Sequence, residues 1–174
     1  MTPLPDPSLE LLDVVNDRDE VIGQAARRDI HARGLNHRAV HVLLFNESGE
    51  LFLQQRAPTK DRHPLKLDSS ASGHLASGED YDRCAGRELA EELGLHLPPT
   101  AFQKLFQLPA DAATDLEFVW VYRVTGPYQP VINPDEIMAG AFYSLAAIAR
   151  LIREHPERFA PSFIKVFDEY RRFG

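Results

Sequence analysis

"GHLASGEDYDRCAGRELAEELGL", residues 73–95, concentrates Glu79, Glu88, Glu91 and Glu92 on and just before one helix. Ser77 and Asp80 stand at capping distance from its start, and Gly94 suits the left-handed position after its end, so the stretch predicts a helix over 79–93. At about 100° per residue, Glu88, Glu91 and Glu92 share an arc roughly 100° wide, with Ala85, Leu89, Ala90 and Leu93 on the other side. Like charges three and four apart repel, and only Arg87, four before Glu91, compensates them locally. Two readings follow. One is a solvated polar face, the usual fate of a charge run. The other is a set of carboxylates converging on a hard cation such as Mg2+, which takes oxygen ligands and shares its coordination with substrate phosphates.

Outward from this helix the pattern is that of one mixed α/β domain over 9–174, preceded by a loose tail at 1–8 rich in proline. The stretches 10–16 and 20–24 flank the turn-rich DRDE and predict a short hairpin, while 25–36 is polar and reads as a connection. The apolar runs 37–46 and 51–56 predict a central hairpin across ESGE. Residues 57–72, with Pro58, Pro64 and the basic Lys60, Arg62 and Lys66, read as a long loop of the kind that often carries function. Strands are expected at 101–108 and 116–124, a loop at 127–136, and a short strand leading into a helix near 145–154. The last helix, 161–172, repeats Phe163, Val166, Phe167 and Tyr170 at helical spacing and reads as core. Phe106, Trp120, Tyr122 and Phe142 read either as core, the usual place for aromatics on strands, or as a platform for a base.

Composition narrows the classes. With 44% hydrophobic and 26% charged residues over 174 positions, the chain is an ordinary globular domain large enough for a substantial core. A net charge of −7 argues against duplex nucleic acid, which requires a basic face, while a small anion remains compatible where metal ions or local Lys and Arg reverse the field. Cys84 is the only cysteine, which excludes an intramolecular disulfide and makes the cytoplasm the expected compartment. No apolar run approaches the roughly 18–20 residues of a membrane span, and the first residues lack the basic flank and apolar stretch of a signal peptide. A homodimer is left open.

The spacing of the whole stretch is more specific than its charge. Gly73, five residues, Glu79, seven residues, then Arg87-Glu88-Leu89-x-Glu91-Glu92-x-Gly94-Leu95 matches every fixed position of the Nudix box. With average residue usage, such a match at a given start has a chance on the order of one in a billion. The chain therefore resembles the Nudix hydrolases over about residues 9–155. The resemblance implies an α/β/α sandwich with a mixed β-sheet, and metal-dependent hydrolysis of a diphosphate joined to another group. Nucleoside di- or triphosphates come first as substrates, then dinucleoside, sugar or prenyl diphosphates. It makes Glu88, Glu91 and Glu92 ligands to Mg2+ or Mn2+, one of them also a base. Gly73 would stand beside the metal through its carbonyl, and Arg87 would orient a glutamate by a charge-assisted hydrogen bond. Glu79 would support the loop or a water near the metal. Arg56 and Lys60 are candidate phosphate contacts, against the alternative of plain surface charge. Glu136, in NPDEI, is a candidate base or ligand, against ordinary turn chemistry. Ions bridging the carboxylates and the diphosphate would acidify a water that attacks one phosphorus in line.

Within that family the chain is similar to a subgroup that includes isopentenyl-diphosphate isomerase, through ELLDVVNDRDEVIG (10–23), HRAVHVLLFN (37–46), LFLQQRAPTK (51–60), SSASGH (69–74) and NPDEI (133–137). In the isomerase three histidines and two acidic residues hold a further metal. The matching positions here are His31, His37 and His74 with Asp115 and Glu117, a donor set that suits Mn2+ or Zn2+ as well as Mg2+. Isolated histidines are otherwise ordinary structural or surface groups. The isomerase uses a cysteine immediately before the Gly-His pair, and here that position is Ser72, whose hydroxyl is far less acidic than a thiol of pKa about 8.5. Cys84, on the helix itself, reads as a small inert side chain. Hydrolysis is the expected activity, with isomerisation and a non-catalytic diphosphate sensor as alternatives. Binding alone does not require Arg87 together with all four glutamates.

Overall fold

The structure is a computed structural model that describes residues 5–173. Of the expected tail at 1–8, residues 1–4 lie outside the described residues. Pro7–Leu9 forms one 3-10 turn, opened by Asp6, whose carboxylate accepts the Ser8 N–H at 2.9 Å. Strands β1 (Leu11–Val15) and β2 (Val21–Ala26) make a two-stranded antiparallel ribbon. Its turn is held by Asn16, whose side-chain oxygen accepts the N–H groups of Arg18 and Glu20. The segment expected as a connection contains a helix, α1 (Arg27–Arg33), closed by Gly34 at φ 63°. Its buried side is Ile30 alone, packed on Leu12 and Val14, so no helical repeat announces it.

The main sheet is built from β3 (His37–Phe45), β4 (Leu51–Arg56), β5 (Leu67–Asp68) and β6 (Ala71–His74). Helix α2 (Tyr81–Leu93) follows, then β7 (Gln103–Leu108), β8 (Glu117–Thr125) and β9 (Ile137–Tyr143). Helices α3 (Leu145–Glu154) and α4 (Pro161–Phe173) complete the order. Strand β3 runs parallel to β8 along its whole length, while the other pairings are antiparallel, so the sheet is mixed. The run Val42 to Phe45 is apolar on both faces because both are covered. Val40, Val42 and Leu44 pack with Ala85, Leu89 and Leu93 of α2. Leu43 and Phe45 pack with Ile148 of α3 and with Phe163, Val166 and Phe167 of α4. The result is an α/β/α sandwich. Among the described residues no helix is long and apolar enough to cross a membrane.

The expected central hairpin is corrected in one respect that matters for the site. Strands β3 and β4 pair only at Phe45 and Leu51, next to their turn. Beyond it they part: β3 turns to β6, and β4 to β5 and β9. Ser70 spans the fork, its hydroxyl accepting the Leu44 N–H at 2.8 Å and donating to the Phe52 carbonyl at 2.6 Å. The stretch expected as a loop over 57–72 therefore also supplies β5 and the start of β6, strands too short to show a period of two.

Candidate active site

The capping of α2 fixes which side it shows to the sheet. Asp80 accepts the Arg83 N–H at 2.8 Å, and Gly94 closes the helix at φ 65°. Ser77, expected as a cap partner, instead donates its hydroxyl to Asp13 at 2.8 Å. With Cys84, Ala85, Leu89 and Leu93 buried, Glu88 and Glu92 turn toward the sheet, only 9% and 5% exposed, while Glu91 stays exposed. Gly73 on β6 makes room for them. A Cβ there would stand 2.1 Å from Glu88 Oε1, so only glycine permits the strand to approach this carboxylate.

Arg87 organises one part of the set. Its Nε and Nη2 donate to the two oxygens of Glu79, each at 2.8 Å. Nη1 donates to Glu88 Oε1 at 2.8 Å and to Glu91 Oε2 at 3.2 Å. Glu79 also accepts the Ala76 N–H at 3.0 Å and so braces the loop before the helix. Glu92 is held differently, by Gln54 Nε2 at 2.6 Å and by the Ser72 N–H at 3.2 Å. Burial pushes Glu88 well above the ordinary carboxylate range, and the charge of Glu92 adds to the effect. Burial likewise pushes Glu92 up to about 7, against the pull of Gln54 and Ser72. Two buried carboxylates side by side are stable as anions only with a cation between them.

These groups line a cleft of about 800 Å³ together with Arg56, Lys60 and Arg62. The cations there are already engaged. Lys60 pairs with Glu136, and Arg56 donates to the Arg62 carbonyl at 3.1 Å and to Asp68 at 3.4 Å. Carboxylates outnumber Lys and Arg around the cleft, so its unaided field repels anions. Phe106, Trp120, Tyr122 and Phe142 pack into the two cores and do not line the cleft.

Successive residues of β6 face opposite ways. Gly73 looks toward α2, and His74 looks to the other side, where it meets His37 of β3 and His31 of α1, with ring centroids 5.0 to 5.6 Å apart. One ring nitrogen from each histidine lies within 4.8 Å of the others. Nε2 of His31 and Nε2 of His37 are both buried without a hydrogen-bond partner. Glu117 Oε1 is 2.8 Å from His74 Nε2 and 3.4 Å from His37 Nε2. Burial pushes Glu117 up, but the two imidazoles more than offset it and hold the carboxyl well below its usual range. Burial and the other two histidines bring His31 down to about 4, leaving it a neutral imidazole with a lone pair to give. Asp115 does not join them: its carboxylate is bound to Arg62 at 2.5 Å and to His63 at 3.2 Å. Cys84 faces the carbonyls of Gly73 and His74, and burial pushes its thiol up, which keeps it unreactive.

Sequence reasoning passed over Gln54, Ser70 and the buried His41, whose Nδ1 is 2.7 Å from Ser69 Oγ. None of them has a spacing that singles it out.

Comparison with known proteins places these features in context. A sequence model of the NUDIX domain matches residues 35–164. A Nudix hydrolase of Deinococcus radiodurans is 36% identical over 131 residues, 75% of this chain and 77% of its own. The isopentenyl-diphosphate Delta-isomerase 2 of Photorhabdus laumondii subsp. laumondii is 30% identical over 161 residues, 91% of either chain. Among solved structures, a protein of Deinococcus radiodurans aligns with a TM-score of 0.70 at 34% identity, covering 81% of this chain and 90% of its own.

Proposed function

This chain belongs to the Nudix family of hydrolases, enzymes that cleave phosphoric anhydrides, and from that premise we propose that it hydrolyses a diphosphate joined to another group with Mg2+ as the working ion. Nucleoside di- or triphosphates are the first substrates to test, and the cytoplasm is the compartment we assign. The observation that carries the reading is the buried Glu88–Glu92 pair beside Gly73, in a cleft where carboxylates predominate. Such a donor set fits a hard divalent cation. Glu88, Glu91 and Glu92 would hold it, with the Gly73 carbonyl beside them, and Mn2+ would substitute. Bound there, the ion would supply charge to neutralise the diphosphate and lower the pKa of a water.

The remaining work falls to the chain. Arg87 fixes Glu88 against its neighbours' repulsion, and Glu79 fixes Arg87. Arg56 and Lys60 line the same cleft as the glutamates and are our candidates for phosphate contacts. When Lys60 turns to a phosphate oxygen it frees Glu136, which would then take the proton of the water attacking phosphorus. The leaving phosphate would depart with its charge met by Arg56 and Lys60.

The histidine cluster supports a second metal, Mn2+ or Zn2+, held by His31, His37, His74 and Glu117, because one ring nitrogen of each histidine lies within 4.8 Å of the others and His31 Nε2 is buried without a hydrogen-bond partner. That cluster and the relative in Photorhabdus laumondii favour isomerisation as a second reading. Ser72 weighs against it, since its hydroxyl cannot replace a thiolate in proton exchange at carbon.

The test is product release from nucleoside, dinucleoside, sugar and prenyl diphosphates with Mg2+ or Mn2+, wild type beside Glu92→Gln, with products identified by mass. Metal-dependent release lost in Glu92→Gln is the expected result. Interconversion of isopentenyl and dimethylallyl diphosphate by wild type would overturn it.

A further inference from the structure

We propose that Gln54 is a positioning residue for Glu92, holding its carboxylate with a neutral donor so that the full negative charge stays available to a divalent cation. The inference rests on the metal reading of the glutamate site. Gln54 lies on β4 and is 1% exposed. Its Nε2 donates to Glu92 Oε2 at 2.6 Å and to the Ser70 carbonyl at 3.2 Å. Both partners are acceptors, so the NH2 end of the amide must face them, and its orientation is fixed by chemistry. The Ser72 N–H reaches the other oxygen, Glu92 Oε1, at 3.2 Å. Each oxygen of Glu92 thus has a neutral donor.

The contrast with Arg87 gives this arrangement its meaning. Arg87 spreads one positive charge over Glu79, Glu88 and Glu91. A guanidinium steadies a carboxylate, but it also cancels charge that an incoming ion needs. An amide steadies it and cancels nothing. In a buried setting such a hydrogen bond still defines the geometry, because leaving the oxygen without a donor costs more than the bond itself contributes.

The fork in the sheet explains why β4 supplies the group. Leu51, Phe52 and Leu53 are buried and apolar, and Phe52 packs in the core under α2. Gln54, two residues on and on the same side of the strand as Phe52, stands where β4 has left β3 and the last turn of α2 comes within reach. An apolar side chain of equal volume would fill that space and leave Glu92 Oε2 without its donor.

The experiment is a Mn2+ titration of the full chain, followed by electron paramagnetic resonance, on wild type, Gln54→Met, Gln54→Leu, Glu92→Gln and the Gln54→Met/Glu92→Gln double variant. The relevant sites are those that Glu92→Gln weakens, which separates them from Mn2+ on the histidines. In Gln54→Met and Gln54→Leu those sites weaken by about 10- to 100-fold, the scale for losing a group that orients a ligand. The double variant binds no more weakly than Glu92→Gln alone, because the two side chains act as one unit. Ser70→Ala removes the hydroxyl that staples Leu44 to Phe52 and serves as the structural control, lowering the thermal midpoint with Mn2+ affinity unchanged. Wild-type affinity in both Gln54 variants, or an equal loss in Ser70→Ala, overturns the proposal. A wild type with no Glu92-dependent Mn2+ site overturns the metal reading and this inference together.

Discussion

The two sides of β6 solve opposite electrostatic problems. On the α2 side, Glu88 and Glu92 would repel each other if left alone, and they are held before any ligand arrives by Arg87, Gln54 and the Ser72 amide. On the other side, His31 Nε2 is buried without a hydrogen-bond partner, and Glu117 stands 2.8 Å from His74 Nε2 and 3.4 Å from His37 Nε2. Like charges must be braced in the fold itself, whereas lone pairs can stand idle at the smaller cost of an unmade hydrogen bond. The first arrangement requires an arginine, a glutamine and a glycine around three carboxylates. The second requires that α1, β3, β6 and β8 meet.

The sharpest way to break this comparison is Glu92→Gln. It should fold as wild type does, by circular dichroism and thermal midpoint, while product release falls by at least about 100-fold, the scale for losing a charge-stabilising group. Turnover near the wild-type level would remove α2 from the chemistry. On the opposite side, His37→Gln should reduce Zn2+ retained after gel filtration by at least about 10-fold, judged against the tuning of metal sites by their surroundings. Equal retention would make the histidines a packing feature. Gly73→Ala sharpens the boundary between the two sides, because its methyl group would enter the space of Glu88. It should lower stability by about 1–3 kcal/mol in urea unfolding, and an unchanged midpoint would show that β6 can move away from α2. Ser72→Cys is the smallest expected effect. It should create no interconversion of isopentenyl and dimethylallyl diphosphate, since the thiol would sit in a cleft arranged for water at phosphorus, and a clear gain would revive the isomerase reading.

What was legible in the sequence follows from how local each feature is. Helix α2, its Asp80 and Gly94 ends and its buried stripe are set by neighbours within a few turns, so spacing alone revealed them. Strands β3 and β8 were legible as apolar runs, and the last helix by its repeat of phenylalanines. The fork between β3 and β4 was not, because which strand a strand leaves for is decided by distant partners such as β6 and β9. Helix α1 was missed because a single buried Ile30 makes no periodic signal. The histidines had matching positions but no visible surroundings, and Asp115 turns from them because Arg62 and His63 take its carboxylate. Gln54 was beyond reach for the same reason: nothing near it in the chain says that a glutamate of α2 will arrive above it.

The parallel ladder of β3 on β8 bears on the order of events in time. It joins Ala39 to Val119 and Leu43 to Arg123, so β4, β5, β6, α2 and β7 all lie in the loop it closes. Long-range pairings of this kind form slowly, because the chain loses freedom in closing the loop before the contacts repay it. Arg56, Lys60 and the glutamates of α2, which share the cleft, all come from inside that loop, and Glu136 comes from beyond it. A refolding chain would therefore complete the cleft, with Glu136 brought to Lys60, only in the slow phase that seats β8 beside β3.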